Sequence, residues 1–267
     1  MAEDSPAGEI KSVRRAIEIL EWIHEHDGAR LTELVDALGL ARSTVHNHLT
    51  TLRELGYLTK EGNAYQLSLQ FLHLGEHARH RKPGYSRAHS AVEQLASETN
   101  EEVDFTVPEN GRMISVYHSV GDQHSSGLQV GRWFHMHSSA AGKAVLAEMP
   151  EADVDRIVER WGLPARTDKT ITTRDALSEE LETVSARGYA INDQELLDGY
   201  HSIGVAVEYP NGDVFGALTV GGPTYRIKTA LKSTDILETL ERAAETIEAG
   251  LTASADADGN WWRDESE

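Results

Sequence analysis

Apolar residues between positions 10 and 67 recur at the three- and four-residue intervals of short amphipathic helices. The first predicted helix covers about Ser12–His26, with Ser12 as its N-cap. A second covers about Thr32–Leu38 and stops at Gly39, a residue suited to a left-handed C-cap, and a third covers about Ala41–Leu55. Two short helices joined by a glycine-containing turn predict a helix-turn-helix. The predicted apolar stripe of the first helix consists of Val13, Ala16, Ile17, Leu20 and Ile23.

Two short strand patterns follow the third helix. Tyr57–Lys60 and Ala64–Leu67 flank Glu61-Gly62-Asn63, and such a turn between two strands is typical of a β-hairpin. A hairpin in this place is the wing of a winged helix-turn-helix domain. We also expect a helix over about Ser68–His80, with Leu69 and Leu72 on one face.

The exposed face of the third helix carries no carboxylate between Ala41 and Arg53. Arginine, asparagine, serine and threonine donate hydrogen bonds to phosphates and base edges, whereas a carboxylate would repel phosphates. The pattern therefore predicts binding to a double-stranded DNA operator; the alternative is a solvated polar face on a plain helical bundle. The residues expected to contact DNA are Arg42, Ser43, Thr44, His46, Asn47 and Thr50 on the helix and Lys60, Asn63 and Tyr65 on the wing.

Strand and helix patterns alternate after residue 84. Val103–Val107 and Met113–Tyr117 alternate apolar and polar residues, which predicts strands with one buried face. Pro83-Gly84 is expected to end any helix that runs into it. The other predicted elements are strands at about Leu128–Phe134, Ile203–Tyr209 and Val214–Val220, and helices at about Ser138–Ala147, Asp153–Trp161, Arg174–Arg187 and Leu237–Leu251.

Composition adds a strong charge bias. The 267 residues contain 44 acidic and 25 basic side chains, a formal net charge of −19, and no cysteine. The lack of cysteine excludes disulfides and thiolate metal sites. An acidic, lysine-poor chain is typical of a protein from a salt-in halophile, with an ordinary acidic protein as the alternative.

The patterns divide the chain into five segments. No stretch is apolar enough to span a bilayer, and the acidic start is unlike a signal peptide, so we expect a cytoplasmic protein with no membrane partner. The expected segments are a flexible acidic N-terminus at 1–9, the winged helix-turn-helix at 10–73, a linker at 74–84, an α/β domain at 85–251 and a disordered acidic tail at 252–267.

No catalytic motif stands out in the second domain. The sequence lacks a Walker loop, Gly-x-Ser-x-Gly and His-Glu-x-x-His. His135 and His137 with His118, His124 or His201 form an alternative metal site, but no acidic ligand has suitable spacing. We therefore expect no enzyme activity, no metal and no cofactor. An enzyme with an accessory DNA-binding module is the alternative.

Small residues in Ser139-Ala140-Ala141-Gly142-Lys143 open the helix predicted at Ser138–Ala147. The free N–H groups and the dipole at a helix start favour an anion, so this segment predicts a carboxylate-binding site. Tight packing of the helix on a sheet selects the same small residues and is the alternative. Arg132 and Lys143 are candidate cations nearby, although Lys143 is expected to point back into the structure.

Six segments resemble the IclR family of transcriptional regulators. They are Ser12–Leu20, Leu40–His46, Leu52–Leu58, His137–Ala144, Arg187–Glu195 and Gly212–Pro223. The resemblance covers about Ile10–Leu251. It implies an α+β protein in which a linker helix joins the winged helix-turn-helix to a GAF-like α/β effector-binding domain. It also implies a homodimer or homotetramer.

The resemblance further implies where a small effector binds. Its contacts map onto the backbone N–H groups of Ala140 and Ala141, onto Asn192, Ser202, Thr219 and Gly221, and onto apolar walls at Phe134 and Tyr200. Asn192, Ser202 and Gly221 stand where the family often has Asp, Cys and Ser. Because Asn192 and Ser202 carry no charge and Gly221 leaves room for a bulkier group, we expect a carboxylate-bearing metabolite. A pocket filled by Tyr200 and His201 is the alternative.

Overall fold

The computed structural model describes residues 9–121, 130–233 and 235–258. The chain forms two compact units that divide between Ala78 and Arg79. Each unit has its own hydrophobic core.

The first unit combines short helices with a small sheet. Its helices are α1 (Lys11–Glu25), α2 (Leu31–Leu38) and α3 (Arg42–Glu54), and its strands are β1 (Ala29–Arg30), β2 (Leu58–Glu61) and β3 (Ala64–Leu67). The strands are antiparallel in the order β1-β3-β2. Helix α4 (Gln70–His80) follows and contains the unit boundary. The predicted winged helix-turn-helix is confirmed, and β1 is an addition too short to show a periodic pattern.

The angle between α2 and α3 is fixed by a glycine turn and a few buried side chains. Gly39 has a φ of 62°, and its N–H donates to the Val35 carbonyl at 3.1 Å, as a left-handed C-cap requires. Leu34, Val45 and Leu49 are completely buried. Burial of such side chains contributes about 1.5–3 kcal/mol each. The packing of α3 on this face leaves its polar face in solvent.

Helix α1 differs from the prediction at its start and in its buried face. Ile10 occupies the N-cap position without a side-chain cap, so the assignment of Ser12 as N-cap is wrong. Ile19 is buried, whereas Val13 and Ile17 of the predicted stripe are 57% and 49% exposed. The core residues of α1 all lie in its second half, so within the described part of this unit Val13 and Ile17 take no part in the core.

The second unit is a six-stranded antiparallel sheet with helices on both faces. The sheet order is β6-β5-β4-β9-β8-β7. The strands are β4 (Glu102–Glu109), β5 (Arg112–Val120), β6 (Trp133–Phe134), β7 (Ala190–Asp193), β8 (Tyr200–Glu208) and β9 (Val214–Pro223). The helices are α5 (Pro83–Thr99), α6 (Ala140–Ala147), α7 (Glu151–Trp161), α8 (Arg174–Arg187), α9 (Thr224–Ala230) and α10 (Asp235–Asp258), with a 3-10 turn at Leu231–Ser233.

The two faces of the sheet have different chemistry. One face carries Val103, Phe105, Val205 and Leu218 and packs with side chains of α5 and α10 into the larger core. The opposite face lies against α6, which also contacts α8. Alternation along β4 places Glu102, Asp104 and Thr106 on this second face. All three are buried, so the prediction that β4 has one solvent-exposed face is wrong.

Three predicted boundaries also need correction. The helix before Pro83-Gly84 ends at His80, as predicted, but Pro83 also begins α5, which was not predicted; proline is tolerated at the first helical position because that N–H has no intrahelical partner. Helix α10 continues through 252–258, the first part of the predicted disordered tail, because alanine there favours helix. Of the strand predicted at Leu128–Phe134, Trp133–Phe134 forms β6 and residues 130–132 are not strand, while Leu128 and Gln129 lie outside the described residues. Residues 1–8 and 259–267 of the predicted flexible ends lie outside the described residues.

An arginine sandwiched between two indoles joins β5, β6 and α7. The Arg112 guanidinium lies 3.4 Å from the ring centre of Trp133 and 3.5 Å from that of Trp161. The Trp161 indole N–H donates to the Asn110 carbonyl at 2.7 Å.

Among the described residues, no helix is long and apolar enough to cross a membrane.

Candidate recognition helix and effector site

The polar face of α3 is open to solvent. Arg42, Ser43, His46 and Asn47 are exposed, and Thr44 and Thr50 are half-buried. In the described part of the chain no carboxylate forms an ion pair with Arg42. The first turn of α3 contains no acidic residue, so the positive end of the helix dipole is not neutralised there. The predicted residues therefore share one face that can approach a phosphate backbone.

The wing presents two of its three predicted contact residues. Lys60 and Asn63 are exposed, but Tyr65 is only 7% exposed and belongs to the core of the first unit. The prediction that Tyr65 contacts DNA from the wing is therefore wrong. Tyr65 pairs with Lys60 across the hairpin, and the Lys60 ammonium lies 5.3 Å from the centre of the Tyr65 ring. Tyr65 therefore stabilises the wing instead of contacting DNA.

The first turn of α6 holds two buried backbone donors. Ser139 is the N-cap, and its Oγ accepts from the Gly142 N–H at 3.0 Å, while its carbonyl accepts from the Lys143 N–H. Ala140 and Ala141 are 1% and 2% exposed. Their N–H groups have no acceptor among the described residues. Buried N–H groups are nearly always paired in proteins, so these two donors mark a place for an acceptor.

Two glycines let α6 approach its surroundings closely. A Cβ added to Gly204 of β8 would lie 3.1 Å from the Ala141 nitrogen and 2.8 Å from the Thr219 Cγ2. A Cβ on Gly142 would overlap the Met136 backbone. Tight packing and N–H groups with no acceptor among the described residues therefore occur together here, and the small side chains permit both.

Asn192, Ser202 and Gly221 lie side by side on β7, β8 and β9, because their Cα atoms pair in register. The Asn192 Nδ2 donates to the Ser202 Oγ at 3.3 Å. Its Oδ1 accepts from the Glu195 N–H at 2.8 Å and from the Leu196 N–H. Asn192 is completely buried. The amide thus shapes the turn after β7 and keeps one side of the row polar and neutral.

Tyr200 occupies the space beside Gly221. A Cβ on Gly221 would overlap the Tyr200 hydroxyl and lie 2.7 Å from its Cζ. The expectation that Gly221 leaves room for a bulkier ligand group is therefore wrong. Burial raises the Tyr200 pKa well above its usual value, and the nearby Asp104 and Glu102 carboxylates raise it further, so the phenol stays protonated.

The remaining two predicted effector residues lie in different places. Thr219 pairs with Gly204 and is 8% exposed, so it belongs to the same sheet face as Ser202. Phe134 lies on β6 at the opposite edge of the sheet and packs with the apolar cluster that includes Ala141. Arg132 is exposed.

Lys143 points away from the free amides, as predicted, into a buried ion cluster. Its Nζ lies 2.6 Å from the Glu195 Oε1 and 3.1 Å from the Glu180 Oε1. Arg187 also contacts Glu180, at 3.3 Å. Lys143 is 1% exposed. It therefore ties α6 to α8 and to the turn that Asn192 shapes.

Sequence patterns missed the buried carboxylates on the α6 side of the sheet. Asp104 is 6% exposed and accepts from the Ser115 hydroxyl at 3.1 Å and from His118. His118, one of the histidines considered for a metal site, is thus held by Asp104. The described residues contain no group of three metal-ligating side chains, and His124 lies outside them. The available signal was the polar alternation of β4, which does not show that a helix covers it.

Comparisons with known families agree with this two-part architecture. The family model "IclR helix-turn-helix domain" matches residues 12–62, and the model "Bacterial transcriptional regulator IclR C-terminal" matches residues 78–249. The chain belongs to the IclR family.

Individual IclR relatives match along most of their length. The "Probable HTH-type transcriptional regulator ArcR" of Halobacterium salinarum is 32% identical over 91% of this chain and 94% of its own. The transcriptional repressor IclR of Escherichia coli is 29% identical over 82% of each. A crystal structure of an IclR homologue from Microbacterium hydrocarbonoxydans, complexed with 4-hydroxybenzoate, has the same fold, with a TM-score of 0.77 and 20% identity over 91% of this chain and 99% of that one.

This IclR-family protein is thus a DNA-binding transcriptional regulator with a C-terminal effector domain, and not an enzyme. The alternative of an enzyme with an accessory DNA-binding module is set aside, because the relatives are named as regulators and repressors.

His137, just before α6, makes the stability of the second unit depend on pH. It is 2% exposed, burial lowers its pKa to about 4, and its Nε2 contacts the Pro164 carbonyl at 3.2 Å. An unfolded histidine takes up a proton near pH 6.5, so the folded state loses stability as the pH falls from about 6.5 to about 4. By pH 4.5 the loss from this residue is about 2 to 3 kcal/mol.

Replacement of His137 by glutamine should remove that part of the pH dependence. The measurement is the free energy of unfolding in denaturant at pH 7 and pH 4.5, at constant salt, for both proteins. Equal losses in wild type and His137→Gln would show that His137 is not the residue responsible.

Proposed function

We propose that this regulator contacts the base edges of its operator with α3 and that a carboxylate-bearing metabolite bound at the start of α6 controls it. The observation that carries the effector proposal is the pair of buried N–H groups at Ala140 and Ala141. The relative crystallised with 4-hydroxybenzoate, itself a carboxylate, supports the ligand class. We further propose that it acts as a homodimer or homotetramer in the cytoplasm of a halophile, for which the net charge of −19 and the archaeal relative are the support.

The DNA contacts follow from the geometry of a helix-turn-helix. The N-terminal half of the second helix of such a motif enters the major groove. Arg42, Ser43, Thr44, His46 and Asn47 occupy that half of α3, with Thr50 one turn later. Lys60 and Asn63 extend from the wing toward the backbone or minor groove. In so acidic a chain, the lack of carboxylates on this face allows the helix to approach DNA.

Replacement of Arg42 or Asn47 by alanine should weaken operator binding by about 1–3 kcal/mol, because each can form paired hydrogen bonds with a base. Arg53→Ala is the matched control, since it removes the same charge from the far end of the same helix. Gel shifts at molar salt, on a duplex selected from random sequences, measure the effect. If Arg53→Ala costs as much as Arg42→Ala, the loss reflects overall charge and the assigned face is wrong.

The effector site can be tested by removing one donor. In Ala140→Pro the first helical position loses its N–H, but the helix should form, since proline suits this position and Ser139 before it has the extended φ of −126° that proline requires. Ala140→Gly is the control that keeps the N–H. Calorimetry with a panel of carboxylates should show weaker binding to Ala140→Pro alone. Equal binding to wild type and Ala140→Pro would contradict the proposed carboxylate site.

Exposed apolar residues in the first unit support assembly. Ile10, Val13 and Ile17 line one side of α1 with exposures of 65%, 57% and 49%, and Leu69 and Leu72 beside and on α4 are 85% and 60% exposed. Contiguous exposed apolar surface is typical of interfaces. One winged helix contacts only half of a two-fold symmetric operator, so a symmetric dimer fits this surface.

The double variant Val13→Glu/Ile17→Glu should dissociate into monomers, because charges in an apolar interface lose their hydration. Light scattering at micromolar protein and molar salt gives the mass. Leu55→Glu, which changes another exposed leucine of the same unit (64% exposed), is the control. A wild type that is monomeric, or a double variant that stays dimeric, contradicts this interface.

A further inference from the structure

The sheet face under α6 buries negative charge beside the proposed effector site. Asp104 and Glu102 of β4 are 6% and 3% exposed. Asp104 pairs in register with Thr219, and Glu102 with Gly221, so both lie in the same rows as the proposed effector contacts. Buried carboxylates are costly unless a cation or several hydrogen bonds compensate them. His118 and Ser115 contact Asp104, and the Tyr200 hydroxyl bonds to Glu102, so these rows are arranged to hold carboxylates beside the site.

Only one of the two oxygens of the Asp104 carboxylate has a contact among the described residues. The Ser115 hydroxyl and the His118 Nδ1 both contact Oδ1, each at 3.1 Å. Neither contact involves Oδ2. In the described part of the chain, His118 is the ion-pair partner of Asp104, and no lysine or arginine pairs with it. The second oxygen therefore remains available to a donor from outside.

A second, independent feature of the same face also lacks a partner. The Thr106 Oγ1, on β4 two residues from Asp104, is buried and has no hydrogen-bond partner among the described residues. Thr106 pairs in register with Ser115, so its hydroxyl lies beside the Asp104–Ser115 contact. An unpartnered buried hydroxyl is destabilising, and a ligand that bonds to it would remove that cost. The face thus offers acceptors at β4 and donors at the start of α6.

The sheet register gives the distance between these two ends. Gly204, which lies against the Ala141 nitrogen, pairs with Thr219, and Thr219 pairs with Asp104. Three adjacent strands span about 10 Å between the outer two. The hydrogen bonds at the two ends take up part of this distance. A ligand carboxylate on the amides and a nitrogen bound to the Asp104 side chain would therefore be about 5 to 8 Å apart.

We propose that the effector carries a protonated nitrogen as well as a carboxylate, and that Asp104 binds the nitrogen through Oδ2. This inference rests on the proposed effector site and names its ligand class: an amino acid whose amine or guanidinium lies about four to six bonds from its carboxylate. The amides of Ala140 and Ala141 hold one end, and Asp104, with Thr106 beside it, holds the other. Glu102 and Tyr200 border the site on the next row of the sheet.

Matched probe pairs test the nitrogen directly. Calorimetry on the full chain compares 5-aminopentanoate with pentanoate and 6-aminohexanoate with hexanoate, which differ only in the amine. A charge-assisted hydrogen bond of the usual strength predicts at least about tenfold tighter binding of the amine-bearing member. If the pairs bind equally, or if neither amine-bearing probe binds, the proposal is overturned. This comparison needs no variant and so does not depend on whether a variant folds.

Asp104→Asn should then remove the preference, so that both members of a pair bind within about twofold of each other. Glu109→Gln, at the exposed end of the same strand, is the control and should keep the preference. A preference that survives Asp104→Asn would place the nitrogen elsewhere and overturn the assignment. Failure of the proposed carboxylate site is distinguishable, since it would show as equal carboxylate binding by wild type and Ala140→Pro.

Discussion

The close seating of α6 on the sheet is the constraint on which the second unit depends. Gly204 has no side chain because the α6 backbone occupies that space, and Gly142 has none because the Met136 backbone does. Gly142 meets only backbone, and Gly204 meets the α6 backbone as well as the Thr219 side chain; backbone cannot move aside as a flexible side chain can. The first turn of α6 is therefore held against β8, which fixes the position of the Ala140 and Ala141 N–H groups.

Lys143 extends this constraint from one helix to three elements. Its ammonium compensates Glu195 and Glu180, and removal of such a buried cation would leave Glu195 unpaired and Glu180 with Arg187 alone, at a cost of about 3–5 kcal/mol. Because Glu195 also donates its N–H to Asn192, the position of α6 and the shape of the turn after β7 are linked. Lys143 thus joins α6 to α8 and to the turn after β7.

Features that depend on a few neighbouring residues were predicted well from the sequence. Features that depend on contacts between residues far apart in the sequence were not. Gly39 and the lack of carboxylates on α3 act within a few residues, so the recognition helix and its solvent face were predictable. Asp104 becomes buried only because α6, more than thirty residues later, covers its strand. Tyr65 lies between the half-buried Ala64 and Gln66, and its burial depends on the register of β3 against β1 and β2. Pro83 carries a strong helix-ending signal in one context and a helix-starting signal in the observed one.

The tryptophans of the two units have different surroundings, which matters for the fluorescence of the protein. Trp133 and Trp161 flank one guanidinium in the second unit, whereas Trp22 in the first unit stacks on His26 with ring centres 3.7 Å apart. The indoles of the two units thus have different chemical neighbours. In a chain in which Trp261 and Trp262 are replaced by phenylalanine, fluorescence emission would come from one chromophore in the DNA-binding unit and two in the effector domain. Replacement of Trp22 as well would leave only the two indoles of the effector domain, so that melting of this unit is followed without an attached dye.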